Sequence, residues 1–128
     1  MSAWTSDELN KMGGAEEARI ASRRRDGTLR NPVTVWVVRH GDDLYVRSVK
    51  GPTGPWYRGT QQRREGHVQA GGVERDVTFA DADRAVTDEI DRAYRTKYRR
   101  YSANIVNSVL TPHARSATLR LVPSESAR

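Results

Sequence analysis

The sequence predicts an α+β fold, a small, mostly antiparallel β-barrel with flanking helices. Three observations lead there. Val33 to His40 (VTVWVVRH) is β-branched and aromatic and is apolar on both alternations, so it reads as a central strand. Two hairpins are marked by tight turns: Gly41-Asp42 leads into Asp43–Val49, and Gly71-Gly72 joins Gly66–Ala70 to Val73–Phe79. A last strand, Ser116 to Val122, follows two helices and can pair with an earlier strand, removing an exposed edge.

Length and composition narrow the classes. The 128 residues suit one core, hence one domain over 1–128, with an N-terminal helical segment (1–30) and a frayed tail (124–128). Mean hydropathy is −0.80, and no apolar run approaches the roughly 20 residues of a membrane span. The start, MSAWTSDELNK, lacks the basic-then-apolar order of a signal peptide. Without cysteine there is no disulfide, thiolate nucleophile or thiolate metal site, and a cytoplasmic location is expected. A net charge of +6 and a pI near 10.2 suit a nucleic acid, an acidic membrane surface or a phosphorylated small ligand. Acids such as Asp81, Asp88 and Asp91 interrupt the cations, so no pure basic stripe forms and a dedicated nucleic-acid partner is disfavoured.

In chain order, Thr5 can cap a helix with Glu8 three residues on, carrying Leu9 and Met12 inward until Gly13-Gly14. Ala15 to Ile20 reads as another helical turn. Arg23 to Arg25, before the Asp26-Gly27 turn, reads as a solvated loop or as an anion-steering run. After the first hairpin and the loop Gly51–Pro55, Trp56 to Gln62 is a short helix or turn. The Gly71-Gly72 turn needs positive φ at both positions, which glycine alone supplies cheaply. Ala80–Asp83 caps a helix from Arg84 to Tyr101, with Val86, Ile90, Tyr94 and Tyr98 on one face. Ser102 starts a shorter helix burying Ile105, Val106, Val109 and Leu110, and Thr111-Pro112 ends it.

The candidate site is the stretch Asp43 to Arg64. Arg47, Ser48 and Lys50 are carried outward at a strand end, beside a glycine loop whose amides can approach an anion. Trp56 and Tyr57 can stack on a flat ring, or pack under the loop, and Arg58 completes a charge clamp. Together they suit a small anionic, aromatic ligand. His40, His67 and His113 lack ligand-type spacing, so no metal site is expected. His67, beginning the strand after the clamp, is the acid/base candidate. Glu74 and Asp76 share a strand face, which reads as paired carboxylates or, more simply, as a solvated face.

The run VWVVRHGDDLYVRSVKG…WYRG…GHVQAGGVERDVTF, with DEIDRAYRTKY and a late TLRLVP strand, resembles a family of small domains of unassigned function. That family is similar to the split β-barrels of the nitroreductase-like superfamily, whose relatives bind FMN or the deazaflavin coenzyme. The resemblance covers Asn31 to Pro123. It implies a split barrel, often a homodimer, with cofactor in a groove between subunits. It also implies phosphate donors at Arg47, Ser48, Lys50 and Arg58, with Trp56 and Tyr57 near the ring. Tyr94, Lys97 and Tyr98 would complete the pocket or the dimer seam, with Tyr98 a further catalytic candidate. The expected function is therefore a flavin- or deazaflavin-binding oxidoreductase. The alternatives are a non-redox ligand-binding module, or a cofactor-free enzyme using the barrel pocket.

Overall fold

In the computed structural model, which describes residues 3–124, Thr5 opens α1 (Ser6–Gly13) as its spacing predicts. Its Oγ1 accepts from the Glu8 N–H at 3.1 Å, and the Glu8 carboxylate accepts from the Thr5 N–H at 2.9 Å. Leu9 and Met12 go into the core. Just ahead, the buried Trp4 donates from Nε1 to the Leu121 carbonyl at 2.9 Å.

The next segment corrects the expected helical segment over 1–30. Residues 18–22 form a strand, β1 (Ala18–Ser22), paired antiparallel with β2 (Val33–Val35) and β5 (Glu65–Ala70). Ala18 and Ile20 point into the core while Arg19 faces solvent, a period of two rather than 3.6.

The remaining strands are β3 (Val37–His40), β4 (Asp43–Arg47), β6 (Val73–Asp81) and β7 (Thr118–Pro123). All seven pair antiparallel in the order β2-β1-β5-β6-β7-β4-β3. The two ends of that order, β2 and β3, are consecutive in the chain with only Trp36 between them. The sheet thereby folds round into a nearly closed split barrel. Val33 to His40 is thus not one central strand but two strands bent at Trp36. Its two-sided apolar pattern has a different cause, for Val35 and Val37 fill the barrel while Trp36 and Val38 lie in a second core outside it.

That outer core is covered by α3 (Thr87–Lys97), from which Ile90, Tyr94 and the following Tyr98 are fully buried. A 3-10 turn, Arg84–Val86, precedes α3, and the helix stops at Lys97 rather than reaching Tyr101. α2 (Pro55–Arg63) follows the glycine loop, and α4 (Ala103–Asn107) follows Ser102. Thr111-Pro112 ends one helix and begins another: the Thr111 hydroxyl accepts from the Ala114 N–H at 3.1 Å, opening α5 (Pro112–Ser116). At the second hairpin Gly71 and Gly72 take φ of 60° and 84°, as that turn requires. The tail expected to fray lies outside the described residues except for Ser124, whose N–H donates to the Asp76 carbonyl at 2.8 Å.

Candidate functional site

Where β4 ends, the chain turns through Ser48–Lys50, makes a 3-10 turn at Gly51–Thr53 and enters α2. Ser48 is buried and staples this loop, its Oγ donating to the Gly51 carbonyl at 2.9 Å. Gly51 holds φ 74° against His113, and a Cβ on it would come within 2.8 Å of the His113 Cβ. The loop is therefore pinned onto α5 and fixed in shape.

Against this loop lies a cleft of about 570 Å³. That volume falls within the range typical of small-molecule sites. The strand run Val33–Trp36 forms one side, Trp56 and Pro55 a second, and Ile105 and Val109 a third. Thr34, Ser48, Lys50, Ser108 and Glu17 supply its polar groups, with Arg47 at its border. Lys50 is exposed, and no described residue offers its amine a hydrogen bond or an ion pair.

Arg47 also borders the cleft, but its guanidinium turns away from it, which corrects the expected outward clamp. It is 2% exposed and donates to the Asp91 carboxylate at 2.5 Å, the Val109 carbonyl at 2.8 Å, Thr118 Oγ1 at 2.8 Å and the Thr87 carbonyl at 3.1 Å. The face that Arg47 shares with Tyr45 is covered by α3 and by Val106 and Val109 instead of open to water. Arg115 reinforces the same carboxylate from α5, its Nε 3.2 Å from Asp91.

The other candidates scatter. Arg58 is exposed just past Trp56 and borders no described cavity. Tyr57 lines a different cavity with Arg84 and Arg115, and burial raises its hydroxyl's pKa. His67 sits outside the cleft, its Nδ1 3.1 Å from Asp76 and its Nε2 3.0 Å from Glu74. The two carboxylates do share a face, and they hold an imidazole there. Tyr98 is buried, stacked at 3.8 Å and 4° on Trp36, and its hydroxyl donates to the Glu16 carbonyl at 2.9 Å. Burial pushes its pKa, and that of Tyr94, well above the ordinary value, and neither tyrosine lines the cleft. These two belong to the outer core rather than to a pocket. Lys97 donates to the Val37 carbonyl at 2.5 Å and lines another cavity, with Arg39 and Arg92; burial brings its amine down to about 8.

Sequence reasoning therefore assembled Arg47, Ser48, Lys50 and Trp56 at one cleft but missed its opposite wall. Trp36 was hidden inside a strand run. The one available signal was an indole among valines on the alternation opposite Val35 and Val37. Among the described residues no three His, Asp or Glu gather as metal ligands, and no helix is long and apolar enough to cross a membrane.

This barrel, closed at Trp36 with its cleft beside the closure, defines the chain as a split β-barrel protein. An F420 reductase superposes with a TM-score of 0.56 at 14% identity, covering 93% of each chain. A heme storage protein from Vibrio cholerae gives 0.62 at 10%, covering 94% of this chain and 91% of the other. An FAD-binding protein from Mesorhizobium loti gives 0.57 at 16%, covering 96% and 92%. No curated protein matches. Residues 8–121 match the model of the family described as uncharacterized protein conserved in bacteria, DUF2255, and the chain belongs to that family.

Proposed function

We propose that the cleft binds a flat, anionic cofactor of the flavin or deazaflavin type and presents it for redox chemistry. The observation that carries this reading is that Trp36, Trp56 and several valines line one cleft together with the free amine of Lys50. Two indoles and a valine-lined floor suit a ring system, and an unpaired ammonium suits its charge. Similar barrels described as an F420 reductase and an FAD-binding protein support the same class of ligand. In this reading the protein orients the cofactor, which itself supplies the hydride chemistry. Arg47 serves by fixing the wall, through Asp91, and Ser48 by holding the loop. Val49 and Ile105, 52% and 49% exposed, stand on the cleft's lip, where a second copy of the chain would cover them in a homodimer.

The test is the absorbance spectrum after loading with FMN or a deazaflavin and desalting. Wild-type protein retains a chromophore, while Trp56→Ala and Lys50→Gln each weaken retention about tenfold. Wild type that retains neither compound sinks the reading. A non-redox binding module is the second reading, favoured by one observation: among the described residues no histidine lines the cleft, and Glu17 is its only carboxylate. Retained ligand that is never turned over would select it.

A further inference from the structure

Arg23, Arg24 and Arg25 are adjacent in sequence, but the turn sends them to different places. Arg23 is occupied, donating to the Gly27 carbonyl at 2.7 Å and lying 3.5 Å from Asp76. Arg25 is exposed and borders no described cavity. Arg24 joins Arg30 in lining a cavity of about 290 Å³ where β1 and the start of β2 meet the first turn of α2. Arg24 is held by its own turn, donating from Nη1 to the Leu29 carbonyl at 3.0 Å and to Thr28 Oγ1 at 3.3 Å. Arg30 is held from α2, its Nη2 donating to Gln62 at 2.8 Å, while its buried Nε has no partner.

Among the described residues no carboxylate lines this cavity; its other polar residues are Ser22 and Asn31. Two positioned guanidinium groups lining one cavity make a place for an anion, since a guanidinium can donate to two oxygens of a phosphate-class group at once. The cavity is also not isolated. It shares Val33, Pro55 and Trp56 with the main cleft, so the two spaces lie against the same three residues.

We propose that this cavity is an anion subsite, built to hold the phosphate-class arm of a ligand whose ring lies in the main cleft. The existence of the subsite stands on Arg24 and Arg30 alone; its link to a ring-bearing ligand rests on the flavin-type reading above. The site then has cations in both spaces, Lys50 in the main cleft and the arginine pair in the smaller cavity. Such an arrangement selects elongated phosphorylated cofactors over their unphosphorylated parents.

Two titrations on the full chain separate the subsite from the flavin reading. Inorganic pyrophosphate, followed by the arginine Nε–H and tryptophan indole resonances, is expected to shift Arg30 and Trp56 saturably. Arg24→Gln and Arg30→Gln should each weaken it about tenfold. Arg24→Gln leaves the Arg30–Gln62 contact intact, so a loss there with native spectral dispersion is not unfolding. Unshifted Arg30 and Trp56 resonances in wild type, or undiminished pyrophosphate binding by the double variant, overturns the subsite. FMN should bind wild type about tenfold tighter than riboflavin, and the double variant should bind both alike. Equal affinities in wild type overturn the link between subsite and ring. Pyrophosphate binding that needs the arginines, with neither FMN nor riboflavin bound, keeps the subsite and removes the flavin reading.

Discussion

Lys97 carries its amine into a half-buried position between α3 and β3, where it donates to the Val37 carbonyl and, among the described residues, no carboxylate lies within ion-pairing distance, though the charge of Glu16 acts on it from further off. Burial brings it from 10.5 down to about 8. Between those values the unfolded chain holds a proton that the folded chain has released, so stability rises with pH across that window. Tyr94 and Tyr98 act oppositely. Above their ordinary pKa of 10.0 they ionise when unfolded but not when buried, so stability then falls. Urea midpoints at fixed ionic strength should therefore climb from pH 8 and turn down above about pH 10. Lys97→Met should abolish the climb and keep the downturn; an unchanged climb in that variant would contradict the assignment. At this scale the sequence was a partial guide. Alternation correctly put Arg47 opposite Leu44 and Val46, but nothing near Arg47 says that α3, Val106 and Val109, forty and more residues later, will cover that face.

Among the elements, β4, α3 and α5 are tied by one cluster, with Asp91 between Arg47 and Arg115. Removing the acid leaves a guanidinium that is 0% exposed without its counter-charge. Asp91→Ala should cost about 3–5 kcal/mol of unfolding free energy, and an Arg47→Met/Asp91→Leu double variant far less, read from urea melts. Equal losses in the single and double variants would show that the ion pair is not the source. Elements with strong local signals read well from sequence, including the capping box at Thr5 and the glycine turn at residues 71–72. β1 did not, because RIAS follows Gly13-Gly14 and a helical pattern, and its period of two spans only five residues. α5 was hidden because Thr111-Pro112 is at once a stop for one helix and a cap and N1 proline for the next.

Across the whole molecule, Trp36 has two duties, since it closes the barrel between β2 and β3 and forms a wall of the cleft. Trp36→Ala should remove the stack on Tyr98, lowering stability by about 0.5–1.5 kcal/mol beyond the lost burial, and weaken ligand retention in the same variant. Retention preserved at full strength would place the ligand elsewhere. Sequence order suggested a closed sheet but assigned the closure to the last strand. In fact β7 lies inside the sheet between β6 and β4, and the closure falls in a run that looked continuous. Because a single residue separates the two halves of that run, neither half can slide independently. A one-residue slip of β2 along β1 would drag β3 along β4 and turn Val35 and Val37 out of the barrel together. The seam thus works as a register lock, in which each edge proofreads the pairing of the other and mispaired, aggregation-prone versions of this barrel are disfavoured at both ends at once.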